Sequence, residues 1–171
     1  MFKVFIDGSA GTTGLRIREM LERRTDVSLI ALPESLRKDA DARKEAINAS
    51  DVTFLCLPDD AAREAVTLAE NPHTVVIDAS TAHRTAEGWA YGFPELSAEH
   101  RAAIARGKRI ANPGCYASGF IALVYPLVKA GVVAPDYPFV CHAVSGYSGA
   151  GKKGIAEYEA ENRSPLLDTP R

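Results

Sequence analysis

No block of basic residues and no interleaving of aromatic with basic side chains occurs in the 171 residues, and 20 Lys and Arg stand against 22 Asp and Glu. Nucleic acid and anionic membrane surfaces are therefore not expected as partners. Long apolar runs are also missing: residues 119–128 are too few to span a bilayer and include Pro126. The N-terminus enters a strand-like run without the layout of a secretory signal, so a cytoplasmic protein is expected. Cysteine is scarce. Cys56, Cys115 and Cys141 are odd in number and lack metal-ligand spacing, which argues against a disulfide framework and a metal site and for reduced thiols. Repeats and low-complexity tracts are absent as well. The length suits one sizeable domain, or a domain and part of another.

What is present is organised around Asn112-Pro113-Gly114-Cys115-Tyr116-Ala117. A short strand-like run leads into this turn, and residues 117–129 follow with Phe120, Leu123, Val124 and Leu127 at the spacing of a buried helical face. Cys115 thus falls at a helix start, where unpaired N–H groups and the positive end of the helix dipole stabilise a thiolate. A free cysteine is more often a small buried hydrophobe. Pro113 and Gly114 favour the reactive reading, because both shape a turn rather than fill a core.

The chain opens with an apolar strand at residues 2–6, then Gly8, Ser9, Gly11, Thr12, Thr13 and Gly14, then Leu15, Ile17, Met20 and Leu21 at helical spacing. Strand, glycine loop and helix in that order suit a pyrophosphate held on backbone N–H groups at a helix N-terminus. The spacing G-x-x-G-x-x-G departs from the dinucleotide fingerprint, and any tight strand-to-helix turn could use such glycines. After a second strand at 27–32, Glu34 occupies the expected acidic position. Ser35, Arg37 and Lys38 beside it suit a ribose 2′-phosphate and favour NADP over NAD; the charge run 37–45 equally suits a solvated helix face. A third strand reaches Leu57, Pro58 stops it, and Asp59 or Asp60 is expected to cap the next helix. A fourth, doubly buried strand at 74–77 ends in Asp78, Ala79, Ser80, His83 and Arg84 at the carboxyl edge, where open α/β sheets bind ligands. His83 and Arg84 also fit a solvated loop pair. Residues 88–96 read as irregular, with Glu95 either ligand-facing or exposed, and Ser97 caps a short helix.

Beyond Gly131 a strand is expected at 139–144, with His142 as a core histidine, followed by the glycine-rich run 145–153 and a helix at 155–162. Ser145, Ser148 and Lys152 in that run suit an anion, although a connector between domains fits as well. Several parallel strands with helical crossovers make the fold class doubly wound α/β. The expected domains are 1–114 and the opening of a second domain at 115–171.

With these pieces placed, the chain resembles the shorter type of N-acetyl-γ-glutamyl-phosphate reductase of arginine biosynthesis. The resemblance rests on Gly8-Ser9-Ala10-Gly11-Thr12-Thr13-Gly14, Ile77-Asp78-Ala79-Ser80, Tyr91-Gly92-Phe93-Pro94-Glu95-Leu96, Asn112-Pro113-Gly114-Cys115-Tyr116 and residues 144–151. It implies a Rossmann-like NADP(H)-binding domain followed by the start of an α+β catalytic and dimerisation domain. It further implies an acyl phosphate substrate, a homo-oligomer (dimer or tetramer) and attack by Cys115 to give a thioester that hydride from NADPH reduces. Leu57, Pro58 and Ser80 then join the glycine loop, Ser35 and Arg37 as expected cofactor residues. Asn112, Ser145, Ser148 and Lys152 become expected substrate residues. Aspartate-semialdehyde dehydrogenases and other acyl-phosphate reductases share the glycine loop and are the alternative, as is a nucleotide-binding module without catalysis. Such proteins have about 300 residues in two domains, with the catalytic histidine in the second domain beyond position 171. None of His73, His83, His100 and His142 matches it, so a truncated second domain is expected.

Overall fold

Strand β1 (Phe2–Asp7) is central, and its burial from Val4 to Asp7 follows from neighbours on both edges and helices on both faces. In the computed structural model, which describes residues 1–144 and 146–162, five more strands join it in parallel. They are β2 (Val27–Ile30), β3 (Val52–Leu55), β4 (Val75–Asp78), β5 (Ala90–Tyr91) and β6 (Arg109–Ala111), in the order β2-β1-β3-β4-β6-β5. The helices between them are α1 (Thr12–Glu22), α2 (Ala40–Ala49), α3 (Asp59–Leu68) and α4 (Ala98–Arg106), with α5 (Cys115–Lys129) after β6. Right-handed crossovers running first one way and then the other from β1 put α1 on one face and α2 and α3 on the other. The doubly wound α/β class expected from the sequence is observed. The core is Phe5, Ile47, Leu55 and Val76 with the small residues Ala46, Ala62 and Ala65, which let α2 and α3 sit close to the sheet.

The register decides what the sheet can do. Asp7 pairs with Leu55, Leu55 with Asp78, and Asp78 with Ala111, so one rung ends four adjacent strands. The residues that follow, Gly8, Cys56, Ala79 and Asn112, therefore leave the sheet along one carboxyl edge. Strand order reverses between β1 and β3, and crevices for ligands form at such a switch point.

Several local expectations are corrected. Ser97 does cap α4, accepting from the His100 N–H, but neither Asp59 nor Asp60 caps α3. Pro58 holds the N-cap without a side-chain bond, and Asp59 instead accepts from the backbone N–H (2.9 Å) and hydroxyl of Thr81. Arg43, inside the supposed solvated charge run, is 7% exposed and pairs with Asp7 at 3.0 Å and Glu64 at 3.1 Å. Residues 88–96, expected to be irregular throughout, contribute the two-residue strand β5. No side chain of α5 is buried, and Leu123 is 73% exposed: the apolar spacing identifies the face that favours burial, but supplies nothing to cover it.

Residues 1–134 form one compact unit, and a second begins at Pro135. Within the second, the expected strand at 139–144 is absent and His142 is exposed rather than in a core. A strand needs a partner edge, and this segment pairs with none among the described residues. A 3₁₀ turn (Tyr147–Ala150) leads into α6 (Gly151–Glu159), tied by the bond between the Tyr147 hydroxyl and Glu159 and by an edge-on contact of Tyr147 with Tyr158. Among the described residues no helix is long and apolar enough to cross a membrane.

Candidate functional site

Gly8 begins the first feature of the carboxyl edge. Its φ is +84°, and a Cβ on it would lie 2.2 Å from the carbonyl oxygen of Cys56. Only glycine lets β1 turn so closely over the end of β3. The loop then closes with a Gly11 N–H to Gly8 carbonyl bond of 3.0 Å, Gly11 takes the N-cap of α1, and Thr12 and Thr13 form its first turn. Gly14 packs under the loop, where a Cβ would meet the Gly8 oxygen at 2.5 Å. The result is a helix N-terminus with its first N–H groups free of intrahelical partners.

A cleft of about 890 Å³ runs from this loop across the end of β2. Gly8, Ser9 and Leu57 line one part, and Glu34, Ser35, Arg37 and Lys38 line another. Arg37 is exposed, 3.9 Å from Glu34. Among its lining residues, a hydroxyl and two cations (Ser35, Arg37 and Lys38) together with the loop residues Gly8 and Ser9 suit an anionic ligand with an apolar body. Gly11, Thr12, Thr13, Gly14, Pro58, Ser80, Asn112 and Cys115 lie outside the lining. Asp7 and Arg43, which the sequence did not mark, lie inside it.

Burial pushes the Asp7 carboxyl up, against the opposing pull of Arg43. A carboxyl group raised in the folded state binds its proton more readily there than in the unfolded chain. Its stabilising contribution is present below the unfolded value, about pH 4, and is lost as pH rises through the folded value. Relative to Asp7→Asn, the wild-type protein should therefore lose stability from about pH 4 toward neutrality. Urea unfolding of both proteins across that range measures the difference, and a widening wild-type advantage would mean that Arg43 outweighs burial.

The second feature is the turn at Cys115. Gly114 is the N-cap of α5, Cys115 its first residue, and the thiol is exposed. The Cys56 thiol is different: burial, with Asp7 and Asp78 adding repulsion, pushes it up to about 11. Cys56 is thus poorly suited to act as a nucleophile. Asn112 donates from its backbone to Asp78 at 2.8 Å and from its side chain to the Pro113 carbonyl at 3.2 Å.

Arg84 covers this turn. A Cβ on Gly114 would lie 2.7 Å from its guanidinium, which also reaches the carbonyls of Asn112 (3.3 Å) and Ala79 (3.4 Å). His83 and Arg84 are therefore not a solvated pair. His83 is buried, 2.6 Å from the carboxyl of Asp78, and stacked on Trp89 with centroids 4.1 Å apart. Ser80, also buried, uses its hydroxyl on Asp78 at 2.7 Å. Ser145 lies outside the described residues, as do the side chains of Ser148 and Lys152.

Two family models match. The semialdehyde dehydrogenase NAD binding domain covers residues 31–104, and the semialdehyde dehydrogenase dimerisation domain covers 115–168. N-acetyl-gamma-glutamyl-phosphate reductase 2 of Pseudomonas putida is 56% identical over 156 residues, which are 91% of this chain and 50% of that protein. The chain spans about half the length of the curated relatives it matches. Among solved structures, aspartate semialdehyde dehydrogenase II from Vibrio cholerae superposes with a TM-score of 0.65 at 20% identity, over 94% of this chain and 51% of its own. Aspartate semialdehyde dehydrogenase with NADP from Candida albicans gives 0.57 at 18% identity, over 76% and 47%. At such identities the structural likeness speaks to fold alone. On the two domain models and the close relatives, the chain belongs to the semialdehyde dehydrogenase family, comprising its NAD(P)-binding domain and the start of its dimerisation domain.

Proposed function

We propose that this chain carries the cofactor-binding and nucleophile portion of an NADPH-dependent N-acetyl-γ-glutamyl-phosphate reductase, with residues 1–114 serving the cofactor and 115–171 opening the catalytic domain. The observation that carries the reading is the exposed Cys115 at the start of α5, next to Gly114 against which the Arg84 guanidinium lies, on the same sheet edge as the glycine loop. The Cys115 sulfur attacks the acyl carbon of the acyl phosphate. The C–S bond forms, the C–O bond to phosphate breaks, and phosphate leaves with the electron pair. Arg84 supplies positive charge where charge develops on the departing group. Asn112 orients the turn.

The cofactor cleft fits a dinucleotide. Gly8 and Ser9 with the N–H groups of Thr12, Thr13 and Gly14 at the start of α1 hold its pyrophosphate, Gly11 closes the loop that presents them, Leu57 and Pro58 flank it, and Ser80 shapes the edge beside it. Ser35 and Arg37 take the 2′-phosphate, which favours NADP over NAD. When bound, the reduced nicotinamide supplies hydride to the thioester carbon. The protein works in the cytoplasm as a homo-oligomer, a dimer or tetramer, in keeping with the dimerisation-domain match.

Phosphate-dependent NADP reduction with N-acetylglutamate semialdehyde, run beside an NADPH titration, tests this reading. Turnover supports the complete reaction. NADPH binding with acylation of Cys115 but no turnover supports the portion alone, and neither binding nor acylation refutes both. In the same titration Arg37→Ala should weaken NADPH about tenfold and leave NADH almost unchanged, since one charge-assisted phosphate contact is worth about 1.5 kcal/mol.

A further inference from the structure

We propose that His83 is a positioning residue that holds Arg84 over the Cys115 turn. This rests on the reading of Cys115 as the nucleophile and names a residue that acts on it at one remove. In the loop after β4, Thr81 is held by Asp59 and the Ala82 carbonyl accepts from Arg63 at 3.0 Å; a further anchor, and the one that reaches His83, is Asp78, which is 0% exposed. Its carboxyl group receives the Ser80 backbone N–H at 2.9 Å, the Ser80 hydroxyl at 2.7 Å and the His83 Nδ1 at 2.6 Å. Its backbone carbonyl receives the Asn112 N–H at 2.8 Å, so the same residue fixes both the His83 loop and the cysteine turn.

Ser80 can pin only the start of the loop. His83 lies three residues further on, next to Arg84, and is held twice. An ionised Asp78 only accepts, which places the imidazole hydrogen on Nδ1. The Trp89 ring, 11° from coplanar, fixes the imidazole plane. One hydrogen bond and one stack together restrain the ring, and the backbone at 83–84 inherits that constraint. Arg84 itself makes only two long bonds, of 3.3 and 3.4 Å, to backbone carbonyls. Those are too weak to hold a flexible cation on Gly114 unless its backbone is held elsewhere.

The test reads the cation at Cys115 without cofactor or acyl phosphate. Alkylation by anionic iodoacetate and neutral iodoacetamide is followed at Cys115 by peptide mapping, which separates it from Cys56 and Cys141. A unit charge close to an anion is worth up to about 1 kcal/mol in a water-like dielectric, which favours the anionic reagent by about three- to fivefold. The iodoacetate-to-iodoacetamide rate ratio should fall by that factor in Arg84→Gln. It should fall equally in His83→Phe, which keeps a ring on Trp89 but loses Nδ1. His83→Asn, which restores a donor toward Asp78, should recover most of the ratio. An unchanged ratio in His83→Phe, or an unchanged ratio in Arg84→Gln, overturns the proposal. If His83→Phe does not fold, Trp89→Leu is read in its place: a fall supports the proposal and no change overturns it. Absence of both NADPH binding and Cys115 acylation with this pattern intact would refute the reductase reading alone.

Discussion

Cys115→Ala should abolish phosphate-dependent NADP reduction, by about 10⁴-fold or more, while NADPH affinity stays nearly unchanged. The asymmetry follows from placement. Cys115 is the exposed first residue of α5 and lies outside the lining of the cleft at the glycine loop, so removing its sulfur takes no contact from whatever part of the dinucleotide is held there. Alanine is the best helix former and fits that position without strain. The direct measurement is the mass of the protein after exposure to the acyl phosphate: wild type should gain one acyl group on Cys115 and the variant none. Retained acylation in Cys115→Ala would move the nucleophile elsewhere. Joint loss of acylation and NADPH binding would make Cys115 a folding residue.

Gly8→Ala should cost about 2–5 kcal/mol of folding stability. Two terms combine. A φ of +84° disfavours any L side chain by about 1–2 kcal/mol. The added Cβ would also sit 2.2 Å from the Cys56 carbonyl oxygen and 2.8 Å from its carbon. Those are backbone atoms of β3, so relief requires moving a strand end, and overpacking adds about 1–3 kcal/mol or somewhat more. Against a total stability of about 5–15 kcal/mol for a domain, such a loss populates the unfolded state and opens the glycine loop. Urea unfolding followed by circular dichroism measures it. A loss under about 1 kcal/mol would mean that the loop slides away from β3 at little cost. Gly11 makes the useful control, because its φ is ordinary and a Cβ there meets nothing closer than 3.4 Å.

These results bear on how far residue patterns reach. Strand, glycine loop and helix at the start, the buried run before Asp78, the Ser97 cap and the cysteine at a helix start were all legible, because each follows from neighbours within a few residues. The glycine loop announced a close approach of backbone to something, and that something is the end of β3, more than 40 residues away. Arg43 was misread for the same reason. Its spacing on α2 resembles a solvated face, and its burial depends on Asp7 and Glu64, 36 and 21 residues distant. His83 looked like a polar loop residue until Asp78 and Trp89 closed around it.

The α5 helix and residues 139–144 mark the opposite case. Local pattern made a helix with an apolar face and a strand of apolar residues. Helix formation is satisfied by hydrogen bonds inside the segment, and α5 is present. Burial of its face and pairing of the strand both require other segments; among the described residues the face is only half-covered and the strand has no partner. By itself, then, the sequence determined the elements as far as α5 apart from β5, the doubly wound class, the position of the one exposed helix-start thiol and the family, since these depend on local propensity and on motif chemistry. Tertiary structure alone decided that Asp7, Leu55, Asp78 and Ala111 share a rung, that Arg84 covers Gly114 and that His83 is buried, because parallel register and side-chain partners across many residues are set by packing rather than by sequence neighbours.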